Sequence, residues 1–397
     1  MDTITHGIAG ALIGKAVFRG GDMFGGQPLN RGRILTWSLM LGAIFPDSDV
    51  LRDIFSHDRL LIVTWHRSIT HSLVMLPLWA LVLAGTTRAF CNWRRWEAPS
   101  FAALSAIYGV GILSHILLDL VTTFGTMIWS PVAWSRPAWD MIFIVDFTLA
   151  AILLVPQLLA WAYAHPEKVR SRAAGVWLAF MPAPFLIARI GEAAGAPISG
   201  QTVMGAMIIL TGIFLLPALR GWGLKIRHEQ WNRAGFAAAL VYVALTFFAH
   251  RLALARIHKF AELDQLQVKS IGALPLPPSL WHWDGLVRSQ RGVYELRMDL
   301  SDRSASDADL LAREHRYYPD APLNSYIEAA RRLPEVQKVL WFARFPVTRF
   351  HKEGDEAVVE ISDVRFSRSS TGRPPAFTYR VRFGADGNVV SQGWVTR

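Results

Sequence analysis

The chain has 397 residues, of which 52% are hydrophobic and 18% charged, a charged fraction well below the roughly 25% of an average soluble protein. Its net charge of +10 does not point to nucleic acid: residues 1–257 carry 21 Lys/Arg against 13 Asp/Glu and the remainder 20 against 18, so the excess lies in short loops between apolar runs, where it sets membrane topology. The single cysteine, Cys91, excludes an intramolecular disulfide.

Met1–His6 lacks the basic start of a cleavable signal peptide, so insertion is expected to rely on internal spans. An apolar run of about 17–23 residues crosses a hydrocarbon core as a helix. Two weaker candidates come first, 4–18 and 34–46, the second ending in Pro46-Asp47-Ser48-Asp49. Six stronger ones follow, at 69–87, 101–121, 141–163, 174–190, 203–219 and 235–254. The expectation is an α-helical polytopic membrane bundle of six to eight membrane helices.

Basic residues mark alternate loops: Arg88, Arg94 and Arg95; Lys168, Arg170 and Arg172; Arg220, Lys225, Arg227 and Arg233. By the positive-inside rule, loops 88–100, 164–173 and 220–234 are cytoplasmic, while loops 122–140 and 191–202 and everything after residue 254 face out. Residues 1–257 then form the bundle. Residues 258–279, with Leu274-Pro275-Leu276-Pro277-Pro278, read as a linker. Residues 280–397 read as a small extracytoplasmic α+β domain, with period-two strands at 293–300, 357–366 and 376–383, a helix at 323–333 and a turn at Asp386-Gly387-Asn388.

Ionisable residues inside or beside spans are costly and read as functional by default. Here they are His6, Asp47, Asp49, His66, His71, His115, Asp119, Asp140 and Asp146. Alternating helix direction puts all of these at the outer end of the bundle. His115 and Asp119 are four apart and share a helix face. Asp47 and Asp49 cannot share one, which suits one ligand and one supporting partner. His6, Asp47, His66, His71, His115, Asp119 and Asp140 are the candidate metal ligands; Asp49 or Asp146 is the candidate general base, and Arg67 the candidate contact to an anionic substrate group. Imidazole with carboxylate favours zinc, with manganese or iron also suitable, and one or two ions both fit. Blander readings stand beside these: Asp2 and Asp140 as helix caps, His115/Asp119 as an intrahelical hydrogen bond, and His282, His315 and His351 as surface residues.

At these residues the chain resembles the inner-membrane metal-dependent hydrolases typified by YdjM, whose relatives include LexA-regulated members. The resemblance lies in Met1-Asp2-Thr3-Ile4-Thr5-His6, Pro46-Asp47-Ser48-Asp49, His66-Arg67-Ser68-Ile69-Thr70-His71-Ser72 and Ser114-His115-Ile116-Leu117-Leu118-Asp119, with Thr122, Thr123, Gly125 and Pro131, and spans about residues 1–190. It implies an integral bacterial inner-membrane protein and a metal-dependent hydrolase, and says nothing of the tail. A site at the outer interface suits a membrane lipid or other amphiphilic substrate, such as a lipid phosphoester. The rivals are an ion or proton transporter, which needs polar residues throughout the bundle, and a non-catalytic scaffold. The His-Glu-x-x-His of an intramembrane metalloprotease is absent.

Overall fold

In a computed structural model the described residues are 1–18, 31–56, 58, 60–193, 198–301, 315–367 and 375–395. The first two thirds of the chain are helical. Helix α1 spans Thr3–Val17, capped by Asp2, whose carboxylate accepts from the Thr5 amide at 2.9 Å. Helix α2, Arg31–Ile44, runs through a 3₁₀ turn at Phe45–Asp49 into α3, Val50–Phe55. Helix α4 is a single turn, Leu61–Thr64, and α5 spans Leu76–Trp93. Then come α6 (Phe101–Leu120), α7 (Phe147–Ala162), α8 (Val169–Phe180), α9 (Ala183–Ala193), α10 (Gly200–Leu219) and α11 (His228–Leu263).

Five of these helical segments are long and apolar enough to cross a membrane, and a sixth qualifies if the bent pair Leu61–His71 and Leu76–Trp93 is one span. The six to eight expected from the apolar runs therefore become five or six among the described residues. Three runs changed for identifiable reasons. The run at 69–87 is bent by 70°, because Ser72 Oγ takes the Val74 and Met75 amides and the Leu73 amide turns away to the Ile128 carbonyl. The run at 174–190 divides at Met181–Pro182, where proline cannot continue the hydrogen-bond ladder. The run at 141–163 becomes helical only at Phe147, since the Met141 and Ile142 amides are tied to the Val121 carbonyl.

Small residues bring the first helices together. A Cβ on Gly10 would lie 2.9 Å from Met40 Cα, and one on Gly14 3.0 Å from Thr36 Cα, so α1 lies backbone-close on α2. A Cβ on Gly111 would lie 2.6 Å from the Leu39 carbonyl, and one on Gly42 3.1 Å from that of Tyr108, which sets α2 equally close to α6. Such contacts are how helices associate in lipid, where burial of apolar area gives no drive.

Helix α11 carries the chain out of the bundle. Its 36 residues are about 54 Å long, well beyond a hydrocarbon core of about 30 Å. The expected linker at 258–279 is corrected here. Nothing breaks the helix until Leu263, and Ser270–Leu276 is strand β1 of a four-stranded antiparallel sheet with β2 (His282–Arg288), β3 (Gly292–Asp299) and β4 (His315–Pro319). Pro275 is tolerated because β1 lies at an edge. One face of this sheet packs on Ala253, Ile257 and Phe260 of α11; the other meets Phe345, Val347 and Val364.

Helices α12 (Ser325–Arg332) and α13 (Pro334–Phe342) precede a second antiparallel sheet, β5 (Pro346–Glu353), β6 (Glu356–Asp363), β7 (Thr378–Phe383) and β8 (Val389–Trp394). The strands and helix expected from period-two and period-3.6 patterns in this region coincide with β3, β6, β7 and α12. Leu60, Val63 and Phe124, all from the helical part, are buried in the core that α12, α13 and this sheet build.

Candidate metal centre

Four of the expected ligands meet. Asp47 comes from the 3₁₀ turn after α2, His71 from the 3₁₀ turn at Ile69–His71, and His115 and Asp119 from one face of α6; one ligand atom from each lies within 4.8 Å of all the others. His71 Nε2 is 3.0 Å from His115 Nε2 and 3.2 Å from Asp119 Oδ2, and His115 Nε2 is 3.3 Å from Asp119 Oδ2 and 3.5 Å from Asp47 Oδ1. His71, His115 and Asp119 are wholly buried and Asp47 nearly so. The glycine contacts of α2 with α1 and α6 make this convergence possible.

Hydrogen bonding shows what the arrangement lacks. His115 Nδ1 lies 2.6 Å from the Ala43 carbonyl, a contact that needs the proton on Nδ1. The Nε2 of the neutral ring is then a lone pair. His71 Nδ1 faces Thr70 Oγ1 at 3.1 Å and Asp49 Oδ2 at 3.5 Å; in the tautomer that places its proton toward Asp49, Nε2 is again the acceptor. Two imidazole lone pairs and two carboxylate oxygens thus point at one another. Asp119 Oδ2 and both ring nitrogens of His6 have no aligned hydrogen-bond partner among the described residues. Buried polar atoms left so cost about 1–3 kcal/mol each. A divalent cation removes the conflict, and ring N–H groups tied to a carbonyl or carboxylate are the usual support of metal-bound histidine. The residues fit a metal ion, and an N₂O₂ set suits zinc, manganese or iron.

His6 stacks on His115 with ring centroids 3.6 Å apart and puts Nε2 3.3 Å from Asp119 Oδ1. It lies beside the four-atom set. His66 also stands outside it: Nδ1 is 3.1 Å from Asp49 Oδ1, and the side chain is 21% exposed. Asp49 accepts the Arg67 amide at 2.8 Å and so braces both histidines of this loop. Arg67 occupies the left-handed region at φ 61° and is buried, with Nη2 2.8 Å from Asp119 Oδ1 and Nη1 donating to Thr122 Oγ1 at 3.0 Å. Of the two roles open to Arg67, a carboxylate partner or an anionic substrate group, the structure shows the first: its guanidinium pairs with Asp119. The Met1 amino group also reaches Asp119 Oδ1.

Two expected site residues turn away, because their partners lie far along the chain. Asp140, expected as a ligand, is gripped by both Nη atoms of Arg344, at 2.9 and 2.7 Å. Asp146, expected as a base, caps α7 through the Leu149 amide at 2.9 Å and takes the hydroxyls of Tyr242 at 2.8 Å and Ser279 at 2.5 Å. Of the tail histidines, His282 and His351 pair with Asp299 and Glu353 at the surface.

Three participants had not been singled out by spacing. Thr3 donates to Asp47 Oδ2 at 2.6 Å, and Thr122 receives Arg67. Arg136 donates to the carbonyls of Val63, His66 and Gly125 at 2.6, 2.9 and 3.2 Å. Burial, with Arg67 and Arg365 adding to it, pushes the Arg136 guanidinium down to about 9. The sequence did hold a cue: Arg136 is the only Lys or Arg between Arg95 and Lys168, in a loop that the charge rule places outside.

No curated protein matches this chain. No solved structure does so either. Residues 1–194 match the family model described as YdjM inner membrane protein, which bears out the resemblance read from the motifs and accords with a membrane location. Over that part, which holds every residue of the candidate metal centre, the chain is similar to the YdjM family.

Proposed function

We propose that this protein is a membrane-embedded, metal-dependent hydrolase acting on an amphiphilic phosphoester at the outer membrane–water interface. The observation that carries the reading is the buried meeting of Asp47, His71, His115 and Asp119 with their acceptor atoms turned toward one point. These four would hold the ion, zinc by preference, with His6 beside them. When bound it would supply Lewis-acid polarisation of a substrate oxygen and acidify a water.

The partly exposed His66 is the proton carrier in this reading. Asp49 holds its Nδ1, which leaves the other ring nitrogen free to take a proton from water and return it to the leaving alkoxide. Asp49 thus orients a base where the sequence suggested that it be one. Ile4, 75% exposed, and Val50 and Leu51 also stand out apolar beside Thr3 and Asp47, a surface suited to an acyl chain. The basic loops support a multi-pass bundle with this end, and the C-terminal domain, outside the cytoplasm.

A structural ion in a non-catalytic scaffold would be buried as completely as His71, His115 and Asp119 are. The His66–Asp49 pair favours catalysis. Metal analysis of detergent-purified protein tests the site: the wild type retains a divalent ion and His115→Ala and Asp119→Asn lose it, whereas equal content in all three defeats the assignment. A panel of phospholipids and phosphoesters tests the chemistry. Turnover restored by metal after chelation is expected, and none with any substrate, from metal-loaded protein, favours the scaffold.

A further inference from the structure

The tail lies outside the YdjM match, yet it reaches the rim of the metal centre. We propose that the C-terminal domain is a working part of the site, with Arg136 as the positioning residue that couples its docking to His66. The coupling is geometric. The Arg136 guanidinium lies 4.6 Å from the Phe124 ring centroid and 5.2 Å from that of Phe342, so it is stacked against one ring from each part of the chain. In that position it donates to the carbonyls of Val63 and His66. Only glycine serves at 125, where φ is +87° and a Cβ would lie 2.9 Å from Arg136 Cγ.

Phe124 is held in turn by Phe342, Phe377 and Phe366, at centroid distances of 5.3, 6.1 and 6.2 Å, and its ring meets His66 edge-on at 5.6 Å. Arg365 closes the joint by donating to the Thr123 carbonyl at 2.8 Å and the Phe342 carbonyl at 2.9 Å. His66 therefore has three restraints. Asp49 holds its ring nitrogen, Arg136 its carbonyl and Phe124 its ring face or edge; the last two depend on the tail's aromatic residues. Arg136 finds only carbonyl acceptors among the described residues. A cation desolvated for a purely structural turn would more simply be an apolar side chain.

The proposal rests on the hydrolase reading only for the role of His66, and its test needs no turnover. Full-length protein in lipid nanodiscs would be treated with diethylpyrocarbonate across pH 5–8, with modification followed at each histidine by peptide mass spectrometry and metal content measured in parallel. Arg136→Ala and Phe342→Ala are each expected to raise the His66 rate on the order of tenfold by releasing a local closure. His71 and His115 should stay unreactive and metal content unchanged. Arg136→Lys keeps the charge but loses the planar fork, and is expected to behave as the alanine variant does. An unchanged His66 rate in Arg136→Ala and Phe342→Ala overturns the proposal. So does a matching rise at His71 and His115, since the clamp would then serve the fold as a whole. A wild type without metal would defeat the hydrolase reading and leave the His66 comparison intact.

Discussion

Both halves of the molecule bury charge, but they resolve it differently. In the C-terminal domain, Asp363 takes the Arg365 guanidinium at 2.7 Å, Asp320 takes Arg288 at 2.6 Å, and Glu295 accepts from the Tyr318 and Ser367 hydroxyls at 2.6 and 3.0 Å. Each carboxylate meets a donor supplied by the chain. At the candidate metal centre, acceptors face acceptors across 3.0–3.7 Å, and His6 and Asp119 Oδ2 lack aligned hydrogen-bond partners among the described residues. The first arrangement is complete without a ligand and the second is not. The unmet demand, more than the presence of histidine and aspartate, distinguishes a site from a structural network.

The contrast predicts opposite signs for charge removal. Arg365→Ala strands Asp363 in a buried setting and also releases Thr123, so a loss of about 3–5 kcal/mol is expected. Chemical or thermal unfolding followed at the C-terminal domain would show it. A loss no larger than that of a surface pair would mean that the joint is wet.

One residue in the tail departs from the rule. Asp284, buried on β2, has Arg297 Nε at 3.6 Å as its cationic neighbour among the described residues, while Glu295 lies close. Burial, with Glu295 adding to it, pushes its carboxyl up to about 7. The folded protein holds this proton to about pH 7 while the unfolded chain releases it near pH 4, so the stability it contributes is full below about pH 4 and is lost as the pH rises through 7. The shift corresponds to about 4 kcal/mol. Asp284→Asn should unfold later than wild type at pH 8 and approach it as the pH falls to about 4. A constant difference across that range would show that Asp284 does not titrate there.

How much of this was readable depends on the range of the interaction. The His115/Asp119 pair follows from a four-residue spacing on one helix, and the division of labour between Asp47 and Asp49 from a two-residue spacing that no helix face accommodates. Asp140 carries no local mark that sets it apart from the others, and Asp146 carries only that of a helix cap, through the Leu149 amide. What removes them is Arg344 and Ser279, 204 and 133 residues away. The run at 69–87 looks continuous because hydropathy does not register that Ser72 Oγ can take two backbone amides. The linker was misread for a similar reason: Pro275 signals a break along the chain, while an edge strand accepts it.

The packing that builds the centre can be tested without touching a ligand. Gly111→Ala places a methyl against the Leu39 carbonyl at 2.6 Å, which α6 can relieve only by moving off α2. Such overpacking costs about 1–3 kcal/mol. Because His115 lies one turn further along α6 and Asp47 just beyond α2, metal affinity should fall with stability. Unchanged affinity in a destabilised variant would mean that the ligands adjust independently of the helix crossing.

The smallest expected effect is the most discriminating. Asp47 Oδ1 faces the Nε2 atoms of His71 and His115 at 3.7 and 3.5 Å. In chelator-treated protein, Asp47→Asn would replace an acceptor with an amide that donates to one of them, while its carbonyl keeps the Thr3 hydroxyl. One new buried hydrogen bond is worth about 1 kcal/mol, so the metal-free variant should melt slightly above metal-free wild type. With metal supplied, the order should reverse, since the variant has lost an anionic ligand and gains less from the ion. A polar network complete in itself would lose stability in both conditions. The crossing of the two orders is what a site built around a cation requires.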